Sequence, residues 1–281
     1  MAIATLNSGR YESNGVAVQR LLHEIPGLAA IDVKAHRTAG QAVHLTHSFG
    51  LESISDAAMV AELLKLVECG ALSGQDDFES AALGLVLTCA DDPALCWQAF
   101  YDNSLDELAS GRSPFASVHH RALSQLAGSS VLEVGSCFGF FALRAALAGF
   151  DVQACDISSG AVNLLRTAAG RLGLQVQARV GDALALPYPD SSVDTVTLIH
   201  LLEHLPSHVD QAISEALRVA RKRVVIAVPY EDEPSPHFGH RHVVTPQTLV
   251  AWARQADHAG AEIFEDNGGW LILDVPPAHA S

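Results

Sequence analysis

Residues 130–148 read Ser-Val-Leu-Glu-Val-Gly-Ser-Cys-Phe-Gly-Phe-Phe-Ala-Leu-Arg-Ala-Ala-Leu-Ala. Val131 to Gly135 has the length and β-branched content of a buried strand. Gly135 and Gly139 follow it, and Phe140 to Ala148 is a run of apolar helix formers. A strand that leaves through a glycine-bearing turn into a helix brings backbone close to a ligand and leaves free amides beside it, the local geometry of a nucleotide site. The next strand pattern, Asp151 to Cys155, ends at Asp156, about 20 residues beyond Gly135, where a carboxylate can accept both hydroxyl hydrogens of a ribose.

Working outward, the region after Ser130 alternates short apolar runs with helical segments, the signature of a parallel sheet with crossover helices. Strands are predicted at 131–135, 151–155, 174–180, 193–199, 223–229, 261–265 and 270–275. Only Asp266-Asn267-Gly268-Gly269 separates the last two, too few residues for a crossover, so they form an antiparallel hairpin at the sheet edge. The first 125 residues carry mostly helical periodicity: Asp56 to Cys69, Asp76 to Cys89, and a helix opened by Asp92-Pro93. Weak alternation over Ile31 to Ala35 and Gln41 to Thr46 suggests a small hairpin around Thr38-Ala39-Gly40. The expected organisation is a mainly helical N-terminal region, residues 1–125, serving as lid, acceptor-binding element or dimer surface, and an α/β domain, residues 126–281.

The pattern disfavours a dinucleotide and an NAD-dependent oxidoreductase. The fingerprint G-x-G-x-x-G needs glycine at 137 and 140 to admit a pyrophosphate, and Cys137 and Phe140 stand there. Glu133 would be an unwelcome carboxylate beside a phosphate and suits a cationic cofactor. These residues resemble the first motif of the class I S-adenosylmethionine-dependent methyltransferases, E/D-x-G-x-G-x-G, with Cys137 in place of the middle glycine. The resemblance runs over roughly 130–275, through Asp156-Ile157-Ser158, Gly181-Asp182-Ala183, Val193-Asp194-Thr195-Val196 and His200-Leu201-Leu202-Glu203-His204-Leu205. It implies a Rossmann-like sheet of seven strands and S-adenosylmethionine as cofactor, held by Glu133, Gly135, Ser136, Cys137, Gly139, Asp156, Ile157, Asp182, Ala183 and His200, with Asp182 at the adenine.

Composition narrows the acceptor. A formal charge of -15, from 17 Lys and Arg against 32 Asp and Glu, opposes contact with nucleic acid. The basic group Arg218, Arg221, Lys222 and Arg223 reads as complementing a helix C-terminus. No stretch reaches the roughly 18 apolar residues of a membrane span, and the start lacks a secretory pattern, so a cytoplasmic protein is expected. The five scattered cysteines offer no C-x-x-C pair and read as reduced thiols.

Chemistry at the acceptor end falls to histidines. His204 and His200, just after the fourth strand, are the candidate bases for a hydroxyl or amine. His200-x-x-Glu203-His204 also matches a metalloprotease signature, but Pro206 leaves no helix to carry it. The loop 229–242 contributes His237 and His240 as substrate-lining candidates; its histidines and acids match no compact ligand spacing, so no metal is expected. Tyr11 is a candidate lid residue by analogy, and Trp97 with Tyr101 reads as a core stripe. The expectation is methyl transfer to a small molecule, O favoured over N because histidines suit hydroxyl deprotonation, by a monomer or homodimer. Detail of the glycine turn and of the later loop resembles bacterial enzymes acting on natural products or mycofactocin-type sugars. The alternatives are a protein methyltransferase and an inactive cofactor-binding interaction module.

Overall fold

A computed structural model describes residues 5–7, 9–21, 32–37 and 42–276. The chain forms two compact units, residues 1–114 with 235–239, and residues 115–234 with 240–281.

In the first unit a five-stranded sheet accompanies three helices. The strands are β1 (Thr5–Asn7), β2 (Arg10–Ser13), β3 (Val16–Arg20), β4 (Val33–Arg37) and β5 (Val43–His47), in spatial order β1-β2-β3-β5-β4. The expected pairing of the fourth and fifth is present and antiparallel; its connecting residues 38–41, and Ile31, lie outside the described residues. The other three strands were not predicted. Asn14 and Gly15, both at positive φ, make the tight turn between β2 and β3, and an Asn-Gly pair between Tyr11-Glu12-Ser13 and Val16-Ala17-Val18 is the available sequence signal for that hairpin. Helices α1 (Asp56–Glu68), α2 (Gly74–Thr88) and α3 (Pro93–Ser110) follow, α1 and α3 opened by the side chains of Ser55 and Asp92. Helix α2 packs closely on the sheet at Gly84, where a Cβ would lie 2.8 Å from the Cβ of Val18 and 2.9 Å from Cδ1 of Tyr11.

The second unit opens with α4 (Ala116–Gln125) and builds one seven-stranded sheet. Its strands are β6 (Ser130–Val134), β7 (Asp151–Asp156), β8 (Val176–Val180), β9 (Val193–Ile199), β10 (Ala220–Val228), β11 (Gly260–Glu265) and β12 (Gly269–Asp274). The spatial order is β11-β12-β10-β9-β6-β7-β8, parallel from β10 to β8, with β12 antiparallel to β10 and β11 antiparallel to β12 at the edge. All seven predicted strands and the terminal hairpin are therefore present. Helices α5 (Phe140–Leu147), α6 (Ser159–Arg171), α7 (Val209–Val219) and α8 (Pro246–Gln255) supply the connections.

The central parallel strands β6 and β9, and β10 from Val224, are largely apolar without alternation because both faces are covered, whereas the edge strand β8 alternates. Leu132, Val196, Leu198, Val224 and Ile226 pack with Ile213, Ala216 and Leu249. Val225, Ala227 and Ile272 pack with Val118, Ala122 and Phe141. The basic group is read differently in the structure, because α7 ends at Val219 and β10 begins at Ala220. Only Arg218 lies in a helix's last turn, and it pairs with Glu215 and Asp190. Arg221 and Lys222 instead pair with Asp194, and Arg223 with Asp274. Among the described residues no helix is long and apolar enough to cross a membrane.

Two alanine substitutions separate crowding from helix propensity. Gly84→Ala is expected to destabilise the protein by about 1–2 kcal/mol, overpacking of roughly 1–3 kcal/mol outweighing the propensity gain of about 1. Gly170→Ala in α6, with nothing within 4 Å of the new Cβ, is expected to stabilise by roughly 0.5–1 kcal/mol. Urea denaturation of the two variants checks both signs.

Candidate active site

The spatial order of the second sheet reverses at β6, which pairs with β7 on one side and β9 on the other. Strand order diverging from one strand opens a crevice beyond the carboxyl ends, where α/β sheets bind ligands. The chain leaves β6 through Gly135 at φ 72 and Gly139 at φ 75, with Cys137 between them at φ 47. A Cβ on Gly135 would sit 2.6 Å from Cδ1 of Leu201, and one on Gly139 would sit 2.7 Å from Cδ2 of Leu165, so both positions require glycine by space as well as by φ.

Asp156, at the end of β7, is bound to this turn. Its Oδ2 accepts the N–H of Cys137 at 2.8 Å and its Oδ1 accepts the N–H of Ser158 at 2.8 Å. A carboxylate offers about four acceptor positions, so capacity remains for two hydroxyls. Ser136 is buried and its Oγ has no hydrogen-bond partner. Ile157 is 75% exposed beside Asp156, an unusual position for a large apolar side chain. After β8, Asp182 is exposed and its Oδ1 accepts the N–H of Leu184, while Ala183 is buried.

Glu133 has a different place from the one expected of a cofactor contact. It is 6% exposed, and its Oε2 accepts the N–H of Ala142 in the first turn of α5. Burial pushes its carboxyl up to about 8, against the opposing effect of that bond. It therefore works through the helix start.

On the other side of the switch point, β9 leaves through His200, also at positive φ, whose N–H donates to the carbonyl of Ala227 at 2.8 Å. Its ring stands edge-on to Phe115 at 6.1 Å, and burial pushes its imidazole down to about 4. A single 3₁₀ turn, Leu202–His204, follows. His204 stands perpendicular to the ring of His240, centroids 4.8 Å apart, and His240 Nδ1 is 2.7 Å from Glu231 Oε2. Glu203 is 1% exposed, and burial pushes its carboxyl up to about 8.

The structure thus brings His200, His204 and His240 together with Glu203, from the H-x-x-E-H segment, and Glu231, an acid of the loop after β10. His237 belongs to the first unit, its ring 5.5 Å from Phe78 and 4.3 Å from Phe238. Tyr11 is a correction. It lies in β2, 3% exposed, packed beside Gly84, because its alternate position on the strand faces α2, and it is a core residue of the first unit. Tyr101 is buried in α3 with Trp97 against it at 6.5 Å, as a core stripe requires.

Residues 132–228 match the family model described as a methyltransferase domain. The ubiquinone biosynthesis O-methyltransferase of Xanthomonas euvesicatoria is 30% identical over 167 residues, 52% of this chain and 68% of that enzyme. The ajmaline N-methyltransferase of Rauvolfia serpentina is 36% identical over 103 residues; the match takes in 35% of each chain, so only about a third of that relative's length is spanned. A SAM-dependent methyltransferase structure from Aquifex aeolicus is 20% identical, with a TM-score of 0.46, covering 61% of this chain and 97% of its own.

Glu133 provides a pH test of the turn's foundation. Its carboxyl is raised above the unfolded value, so its stabilising contribution is complete below about pH 4.5 and is lost as pH rises through about 8. Glu133→Gln keeps an acceptor for Ala142 and removes the buried charge. The variant is expected to match the parent near pH 5 and to exceed it by roughly 2–4 kcal/mol at pH 9, read by denaturant unfolding at the two pH values.

Proposed function

We propose that the chain, which belongs to the class I S-adenosylmethionine-dependent methyltransferases, transfers the cofactor's methyl group to a hydroxyl of a small molecule. The observation that carries this reading is the cradle at the switch point: a turn kept clear of side chains by Gly135 and Gly139 and tied to the carboxylate of Asp156. The cofactor fits that cradle. Asp156 retains acceptor positions for a ribose, Ser136 presents a buried hydroxyl without a partner, and Ile157 offers exposed apolar surface for a base.

In this assignment the backbone of Gly135, Ser136, Cys137 and Gly139 borders the cofactor, Asp156 takes the ribose hydroxyls, and Asp182 with Ala183 and Ile157 receives the adenine. Glu133 acts indirectly, by holding the first turn of α5. When bound, the cofactor supplies a methyl group made electrophilic by a sulfonium. An in-line displacement of that kind is accelerated chiefly by positioning and by exclusion of water. His204, at the exit of β9, is assigned to take the proton from the acceptor hydroxyl, the depressed imidazole of His200 being the weaker base. The cluster of imidazoles supports oxygen over nitrogen as the methylated atom, because a hydroxyl must lose a proton to become a good nucleophile. The first unit lies outside the residues matched by the family model and is assigned to acceptor recognition.

Calorimetric titration with S-adenosylhomocysteine and, separately, with NAD tests the cofactor assignment. Micromolar binding of the former alone is expected. Asp156→Ala is expected to weaken it by about 10- to 150-fold, roughly 1.5–3 kcal/mol for a lost charge-assisted hydrogen bond. Unchanged affinity in that variant, or binding of NAD in preference, overturns the assignment.

A further inference from the structure

Glu203 poses a problem that the methyl-transfer reading leaves open. Its side chain is 1% exposed, yet neither carboxylate oxygen has a hydrogen-bond partner. The nearest basic group recorded is Nδ1 of His200, 4.0 Å from Oε1 and beyond hydrogen-bonding distance. A buried carboxylate without partners is costly, and proteins compensate such groups with hydrogen bonds, a paired charge, a metal ion or a retained proton.

The third solution is already assembled around it. One carboxylate oxygen of Glu203 and one ring nitrogen each from His204 and His240 lie within 4.8 Å of one another. Glu203 and His204 come from the turn after β9, and His240 from the loop after β10. The two segments are fastened at this point, since the N–H of Arg241 donates to the carbonyl of Glu203 at 2.8 Å. His240 is oriented from behind by Glu231, whose carboxylate sits 2.7 Å from Nδ1. A carboxylate on the far nitrogen of a histidine fixes the tautomer and leaves Nε2 as the ligating atom, the arrangement found behind metal-binding histidines.

We infer that Glu203, His204 and His240 form a divalent transition-metal site of the zinc type, with Glu231 as the group that orients His240. Two imidazoles and one carboxylate are the donors zinc accepts, at about 2.0–2.2 Å, and three protein ligands leave a position open. No single stretch of the sequence carries the ligand spacing, which is why no metal is expected from it; that expectation is overturned here. The ligands instead come from two loops that the sheet brings together. The inference is independent of the acceptor's identity but shares the active-site edge with the methyl-transfer reading. It reassigns His204 from proton acceptor to ligand.

The test is calorimetric titration of the chelator-treated full chain with zinc chloride, with S-adenosylhomocysteine titrated into the same samples. About one equivalent of zinc is expected to bind at micromolar affinity or tighter. Glu203→Gln, which keeps the side chain's shape, and His240→Ala are each expected to weaken binding at least tenfold. Glu231→Gln is expected to weaken it about 10- to 100-fold through His240 alone, whereas His120→Ala, on the exposed side of α4, leaves it unchanged. Cobalt(II) added in place of zinc is expected to give visible absorption bands that Glu203→Gln abolishes. Parent protein that binds zinc no better than Glu203→Gln, or that loses as much on His120→Ala, overturns the site. Retained S-adenosylhomocysteine binding shows that every variant is folded, and with no zinc binding it sinks the cation site while the methyltransferase reading stands. Zinc binding without S-adenosylhomocysteine binding does the reverse.

Discussion

The carbonyl oxygen of Cys155 accepts hydrogen bonds from the N–H groups of both Gly135 and Ser136, at 2.9 and 3.0 Å, and the carboxylate of the next residue, Asp156, accepts that of Cys137. Three successive amides at the end of β6 are thereby drawn toward β7. The chain can then reach α5 only by passing through left-handed conformations at 135, 137 and 139. Cys137 bears the cost of that conformation without glycine's exemption, of the order of 1–2 kcal/mol, and its amide bond to Asp156 offsets it. The space left by the absent Cβ atoms is filled by Leu201 from the exit of β9 and Leu165 from α6. One hydrogen-bonded turn therefore positions the ends of both strands at the switch point.

That dependence explains what could be read from the sequence. Gly135, Gly139 and Asp156 were legible because each answers a local demand, a positive φ or the end of a strand, that few residue types satisfy. The central strands of the second unit were legible because burial on both faces leaves apolar runs; β9 is buried at six successive positions from Val193, whereas the edge strands β8 and β11 are largely exposed and were marked by β-branched or alternating residues between turns. The start of β10 was missed for the same reason in reverse. Arg221 and Lys222, exposed just after Ala220, interrupt the apolar run, and their charges are met by Asp194 rather than by a core.

The first unit was harder, since its sheet depends on pairing that local periodicity does not report. β3 is parallel to β5, with β4 between them in sequence and at the edge in space. Tyr11 shows the consequence. Taken alone it is an aromatic residue near the N-terminus, and analogy assigns it to a lid. Its burial follows only when Asn14 and Gly15 fold β2 onto β3 and Gly84 lets α2 approach.

The two sides of the switch point satisfy their polar groups in opposite ways. Glu133, beneath the glycine turn, is buried but accepts the N–H of Ala142, so this carboxyl is met within the fold and the turn gains rigidity from that bond. Glu203, beyond β9, is as deeply buried and has no donor, although donors could have been supplied by one amide turned inward. The surrounding backbone is not loose: His204 donates to Leu201 and Arg241 donates to Glu203 through main-chain groups. Satisfied backbone around an unsatisfied carboxylate places the deficit in the side chains alone. A rigid frame with a local excess of acceptors is a device for holding something cationic, and it stands at the carboxyl edge of the sheet, where α/β folds bind ligands.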